Sequence, residues 1–366
     1  MHSNLLLVIV VGAALSFDFT NGFHDTANVV ASAISTRALA PRTAIGLASI
    51  LNFAGAFISL KVAATVATGI VDPGQITETI AFAGLIGAIA WNLITWSWGL
   101  PSSSSHALIG GVVGAMLAAV GGSGVKGGAI LTKVVAPAII APIVAFLFAG
   151  VAIIVIYRLV GQRRPGSVTR GFRLGQIGSS SLLAIAHGTN DAQKTMGVIT
   201  LALVAHGSLS AHHTHVPTWV IISAASAISL GTYAGGWRII RTVGTRIIKM
   251  DSAQGFAAQG AGAIVILASS HFGYPLSSTH VISGGVMGAG AAKRVSAVRW
   301  GVAGNIAAAW VVTLPAAGVF GAVAYWLASA FGSGAAGPLV ISLVALGALT
   351  ATLATRRRRL AEAASV

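Results

Sequence analysis

Long apolar stretches separated by short joints run the length of the chain, over 3–36, 43–67, 78–98, 104–120, 134–157, 176–205, 217–237, 256–272, 279–292, 300–331 and 338–355. A helix of about 20 residues crosses a hydrocarbon core of about 30 Å, so most of these stretches predict membrane helices. The first is interrupted by a polar run, Asp18 to Asn28 (DFTNGFHDTAN), between the apolar Leu5–Phe17 and Val29–Ile34. As a helix, the run spaces Asp18, Asn21, Asp25 and Asn28 by three, four and three residues. That period puts all four on one face. A carboxylate inside a spanning helix is costly and rarely faces lipid, so the stripe predicts a cavity or a polar partner.

Composition narrows the class. Hydrophobic residues make up 55% of the chain and charged residues 8%, and there is no cysteine. A soluble domain, a disulfide scaffold and thiolate chemistry are all excluded. The expected fold is an all-α polytopic membrane protein with roughly 10–12 transmembrane or re-entrant helices. The opening MHSN lacks the basic region of a cleavable signal, so the first helix is expected to stay in the mature protein.

A net charge of +15 would fit nucleic acid if it were spread over a surface, but it is concentrated in the joints. Of the 22 Lys and Arg, all but Lys61, Lys126, Lys133 and Lys194 fall in five clusters: Arg37–Arg42, Arg158–Arg173, Arg238–Lys249, Lys293–Arg299 and Arg356–Arg359. Placing these clusters in the cytoplasm puts the N-terminus outside and the C-terminus inside a plasma (inner) membrane. The lipid bilayer is then the partner the charge implies, and no nucleic acid is expected.

The chain repeats itself. His187, Gly188, Asn190 and Asp191 lie 166 positions after Asn21, Gly22, His24 and Asp25, and Lys194 takes the place of Asn28. Pro101-Ser-Ser-Ser-Ser-His106 returns 174 positions later as Pro275-Leu-Ser-Ser-Thr-His280, each followed by a glycine pattern, Gly110, Gly111 and Gly114 against Gly284, Gly285 and Gly288. Phe53-Ala-Gly-Ala-Phe57 is similar to Tyr233-Ala-Gly-Gly-Trp237. Basic joints follow the first helix of one half but the second helix of the other, so the halves should cross in opposite senses. The expected organisation is a first inverted repeat over 1–157, a short basic cytoplasmic loop over 158–175, a second repeat over 176–299, and further helices with a basic tail over 300–366. Such repeats hold substrate near the midplane between broken helices.

The Pro-x-Ser-Ser-[Ser/Thr]-His element reads as a helix stop followed by a capped helix start. A kink capped by serines and a site for an anion both fit one copy. Two copies in opposite orientation favour an anion held by Ser103, Ser104, Ser105, Ser277, Ser278 and Thr279. Asp25 and Asp191 repel an anion and call for a cation or a proton. Asn21, Thr26, Asn28 and Asn190 add oxygen ligands of the kind Na⁺ takes. Lys194, three residues from Asp191, supplies a fixed positive charge instead and favours H⁺. His24, His106, His187 and His280 sit in the motifs as lesser candidates for proton relay. His206, His212, His213 and His215 form a polar outer loop, for which a solvated loop is favoured over a metal site. No structural metal, cofactor or enzyme motif is evident.

NGFHDTANVVA, AHGTNDAQKTMG, PSSSSH and PLSSTH resemble, in order and over essentially the whole chain, the signatures of the PiT family of inorganic phosphate transporters. The resemblance implies a cation-coupled symporter importing inorganic phosphate by alternating access. Carried over by position, Asp25, Asn28, Asn190 and Asp191 would bind coupling ion and substrate, and the paired serine elements would cradle phosphate. Lys194 departs from the Asn of the sodium-coupled branch and resembles the bacterial proton-coupled members. The cargo could also be a metal–phosphate complex. Three alternatives stay open: a sulfate/H⁺ symporter of the same family, a Na⁺-coupled phosphate symporter, and, in another class, an anion channel. A homo-oligomer is compatible with the sequence.

Overall fold

A computed structural model describes residues 4–210, 215–332 and 334–364 and, among them, helices and one isolated bridge (Val71–Val125) but no strand. The helices are α1 (Asn4–Ser35), α2 (Pro41–Gly55), α3 (Lys61–Gly69), α4 (Glu78–Trp98), α5 (Ser104–Val120), α6 (Gly127–Ile130) and α7 (Ala136–Val160). There follow α8 (Pro165–Ala205), α9 (Thr218–Ala234), α10 (Trp237–Arg241), α11 (Ser252–His271), α12 (Ser278–Lys293), α13 (Trp300–Ser329) and α14 (Ala336–Ala364). α6 and α7 join through a π turn, Leu131–Val135, into one rod, Gly127–Val160. The all-α membrane fold expected from the sequence is the fold observed.

The breaks fall where the motifs put them. Gly99 ends α4 in the left-handed region (φ +65°), Pro101 follows, and Ser103 caps α5 by accepting from the backbone N–H of His106. Gly273 (φ +77°), Pro275 and Ser277 repeat the device between α11 and α12, with Ser277 accepting from the N–H of His280. Glycine is needed at both turns because a Cβ strains that conformation. The stretches 43–67 and 217–249 are broken too: α2 gives way to α3 at 56–60, and α9 meets the following segment Trp237–Arg246 at a 60° bend. Among the described residues five helices are long and apolar enough to cross a membrane alone, and the bent pair makes a sixth candidate. Breakage accounts for α2 and α3, polar residues for α8 and α11, and length for α12.

One difference concerns a joint. Of the expected 158–175 loop, only 161–164 is non-helical, because Pro165 starts α8 and the polar stretch after it continues as an exposed basic helix. Loss of hydrophobicity ends a membrane span, not a helix, and proline at the first helical turn favours the start. His212 and His213 lie outside the described residues.

Two apolar cores flank a polar layer. The first gathers Leu6–Phe17 of α1, the buried faces of α3, α4, α5 and α9, and Ala192–Leu203 of α8. The second gathers Ala27–Ala31 of α1, Leu183–Ala186 of α8, and residues of α2, α7, α11 and α12. The polar motifs occupy the gap between them. α1 therefore passes from the first core to the second, and α8 from the second to the first.

Packing is duplicated as well. α1 packs on α9 and α8 on α2; α4 and α5 pair with each other, as do α11 and α12. Ser49 Oγ donates to Ser229 O and Ser229 Oγ to Ser49 O, both at 2.7 Å, a reciprocal contact of the kind made across a two-fold axis. α7, from the first stretch of sequence, packs on α11 and α12 of the second, and α13 packs on α4 and α5 of the first. Glycine permits these crossings: a Cβ on Gly114 would stand 2.0 Å from Gly318 O, and one on Gly288 would stand 2.0 Å from Phe146 O. Backbones that close admit only small residues. Gly114→Val or Gly288→Val should cost about 1–3 kcal/mol by overpacking. Gly304→Ala, where a Cβ meets nothing within 4 Å, should be neutral. Thermal loss of the monodisperse peak in detergent reads the difference.

Candidate functional site

The polar layer closes on two carboxylates. Asp25 projects from α1, and its Oδ2 accepts from Ser104 Oγ at 2.8 Å. Its Oδ1 lies 2.8 Å from His24 Nδ1 and accepts from Thr279 Oγ1 at 3.3 Å. Asp191 projects from α8; Lys194 Nζ donates to its Oδ1 and Ser278 Oγ to its Oδ2 at 3.1 Å. His187 Nε2 stands 2.8 Å from that same Oδ2, at ion-pair distance but without hydrogen-bond alignment. Each carboxylate thus takes a hydroxyl from the serine that opens the helix after one break, Ser104 or Ser278, and Asp25 draws on both elements. The α5 and α12 starts meet at this point, where the rings of His106 and His280 contact edge to face with centroids 4.8 Å apart.

The positions equivalent by repeat make equivalent bonds. Asn28 Nδ2 donates to Thr279 Oγ1 at 2.9 Å and to Ser278 Oγ at 3.3 Å. Lys194 Nζ, its counterpart, donates to Ser105 Oγ at 2.5 Å and to Leu276 O at 2.7 Å. One half therefore holds an amide where the other holds an ammonium. Asp25, Asp191 and Lys194 are each at most 2% exposed. At that depth a charge is tolerated only when paired and hydrogen-bonded, which the serine hydroxyls and Lys194 supply.

Several expected residues stand apart from this centre. Thr26 donates to Gly22 O at 2.5 Å and to Thr232 O at 3.2 Å, tying α1 to α9. Its hydroxyl is spent on backbone carbonyls, the usual fate of a buried helical threonine. Ser103 and Ser277 are occupied as helix caps. Asn190 Nδ2 donates to Ser270 Oγ and Tyr274 O, fixing α8 to the α11 end. Asn21 is buried beside the centre, and its Oδ1 has no hydrogen-bond partner among the described residues. In the outer loop His206 Nδ1 lies 2.7 Å from Glu78 Oε1.

Two groupings were not foreseen. Asp25, His187 and Asp191 each bring one ligand atom within 4.8 Å of the others, a cation-sized cluster drawn from α1 and α8. Only the apposition of the two helices shows it, since sequence places His187 opposite Asn21 in the repeat. Asp18 is fully buried, flanked by Asn21 and Thr195, and no aligned hydrogen bond reaches its carboxyl oxygens among the described residues. It adds a third carboxyl to the same layer.

Comparison with known proteins decides the family. The model of the phosphate transporter family matches residues 21–321. The chain belongs to that family. This transporter is 51% identical over 352 residues to a probable low-affinity inorganic phosphate transporter of Mycobacterium tuberculosis, covering 96% of this chain and 84% of the other. It is 43% identical over 327 residues to the protein of the same description in Bacillus subtilis, covering 88% and 97%. Its fold is similar to a solved structure described as the sodium-dependent phosphate transporter, with a TM-score of 0.81 and 25% identity over 88% of this chain and 98% of that one. The transporter is not an enzyme.

The Asp191–Lys194 pair generates a stability prediction. Lys194→Met strands a buried carboxylate and should cost about 3–5 kcal/mol. Adding Asp191→Asn should recover most of that loss. Melting of the two variants in detergent checks it, and a double variant as unstable as Lys194→Met would remove the pair from the account.

Proposed function

We propose that the transporter imports inorganic phosphate with protons, by alternating access, across a bacterial plasma membrane, with the N-terminus outside and the C-terminus inside. The observation that carries the coupling ion is the Lys194 ammonium, seated against Asp191 and Ser105 where its counterpart Asn28 offers an amide. A fixed cation at that point supplies the charge a sodium ion would bring. Import of an anion against an inside-negative potential needs an accompanying positive charge, and here a proton provides it. The opposite travel of α1 and α8 through the two cores supports the inverted-repeat reading.

The hydrogen bonds supply a coupling logic. Ser104, Ser278 and Thr279 donate to carboxylates, and phosphate needs the same donors. An ionised Asp25 holds its hydroxyls and repels the anion. Protonation of the carboxyl weakens the hold and frees the hydroxyls to turn to phosphate, so proton and anion load together. A protonated phosphate can also donate to a carboxylate, whereas sulfate at neutral pH has no proton to give. That difference favours phosphate over sulfate. A neutral metal–phosphate complex would enter such a centre at less electrostatic cost than the free anion.

Sodium coupling is the second reading, favoured by the Asp25–His187–Asp191 cluster. Uptake of radiolabelled phosphate into proteoliposomes under imposed proton or sodium gradients separates the two. Proton-driven accumulation that excess sulfate leaves intact is expected. Asp25→Asn should abolish accumulation, and Ser104→Ala with Ser278→Ala should weaken apparent phosphate affinity about a hundredfold or more, each lost charge-assisted bond being worth about 1.5–3 kcal/mol. Sodium-driven uptake would overturn the role given to Lys194, and equilibration without accumulation under either gradient would indicate a channel.

A further inference from the structure

A second anion site is built on the basic side of the molecule. The end of α4 (Ser97, Trp98) and Gly99 face Trp237, Arg238, Arg241, Thr242 and Arg246 across a cavity of about 280 Å³. Three arginines line it. Among the described residues no carboxylate lines the cavity or pairs with these arginines. Arginines that mark orientation need not share one cavity, and these three do.

The cavity is shaped before any ligand arrives. Arg238 lies over the Trp96 ring, 5.0 Å from its centroid, and its Nη1 donates to Ser97 O at 2.5 Å. That contact neutralises the carbonyl end of α4, which would otherwise repel an anion. Thr242 Oγ1 donates to Gly99 O at 2.8 Å and fixes the far wall. Arg241 and Arg246 are exposed, and neither guanidinium is hydrogen-bonded among the described residues (the Arg241 carbonyl alone accepts, from Thr245), so both forks stay available. Planar guanidinium forks suit phosphoryl oxygens.

The fold does not require this charge. By the repeat that pairs Ser49 with Ser229, Arg238, Arg241 and Arg246 correspond to Ile58, Lys61 and Val66. The opposite side thus carries one amine where this side carries three guanidiniums. The cavity also adjoins the transport centre: Trp96 meets Phe23 edge to face at 5.4 Å, and Gly99 leads through Pro101 into the Ser102–Ser104 element.

We propose that Arg238, Arg241 and Arg246 bind a phosphoryl anion at the mouth of the α4–α5 break. Its source is either free phosphate passing to or from the buried centre or the headgroup of an anionic phospholipid. The site stands whether or not the buried centre is proton-coupled.

Residue-resolved arginine modification tests it without relying on transport. The full chain is placed in phosphatidylcholine nanodiscs and treated with phenylglyoxal, and adducts are read by mass spectrometry with Arg163, exposed in the joint before α8, and Arg170, exposed on its first turns, as internal references. Selective several-fold slowing at Arg241 and Arg246 by inorganic phosphate, but not by chloride of equal ionic strength, is expected for free phosphate. Slowing only when phosphatidylglycerol is included assigns the site to lipid headgroups. Unchanged rates under both conditions, or equal slowing at Arg163 and Arg170, would overturn the proposal. Since Arg241→Gln with Arg246→Gln leaves the Asp25–Asp191 centre intact, proton-driven uptake in that variant should survive, which separates failure of this site from failure of the transport reading.

Discussion

Two carboxylates buried within a membrane must be compensated from inside the protein, and the arrangement of the chain around Asp25 and Asp191 follows from that demand. Hydroxyls alone can approach them from the ends of α5 and α12 because both helices begin inside the bundle. Helices can begin there only if the preceding helices stop, which the Gly99–Pro101 and Gly273–Pro275 turns enforce. The apolar cores on either side then keep water from competing for the same donors. Removing any one of these features exposes the cost of the others.

Duplication supplies the symmetric scaffold, and a few unmatched side chains give it polarity. Ser104 and Ser278 act alike, while Asn28 faces Lys194, His24 faces Asn190 and Asn21 faces His187 across the repeat. Three substitutions at related positions thus give the two halves different charge and different hydrogen-bonding groups. A transport cycle needs such a difference if one carboxyl is to load a proton while the other remains paired.

Much of this was legible in the sequence, because the features concerned are local. The one-face spacing of Asp18, Asn21, Asp25 and Asn28, the paired serine elements and the glycine patterns all depend on helical period and turn chemistry. Their counterparts in space did not follow. Thr26 shares a helix with Asp25, but its rotamer carries the hydroxyl to Gly22 and Thr232, which periodicity cannot show. The Asp25–His187–Asp191 grouping and the arginine-lined cavity arise where separate helices cross, and Arg238–Arg246 read along the chain only as an orientation signal. Extension of α8 to Pro165 was masked by the assumption that a polar stretch between spans is a loop.

The exchange of α7 and α13 between the halves bears on how the molecule is made. Gly110 and Gly114 of α5 find their packing surface on α13, near the end of the chain, whereas α12 meets α7 already in place. A nascent chain that has released its first half therefore carries an uncovered glycine face until nearly the whole protein has been synthesised. Each half therefore lacks part of its packing surface without the other, and the α5 face is complete only once α13 is present.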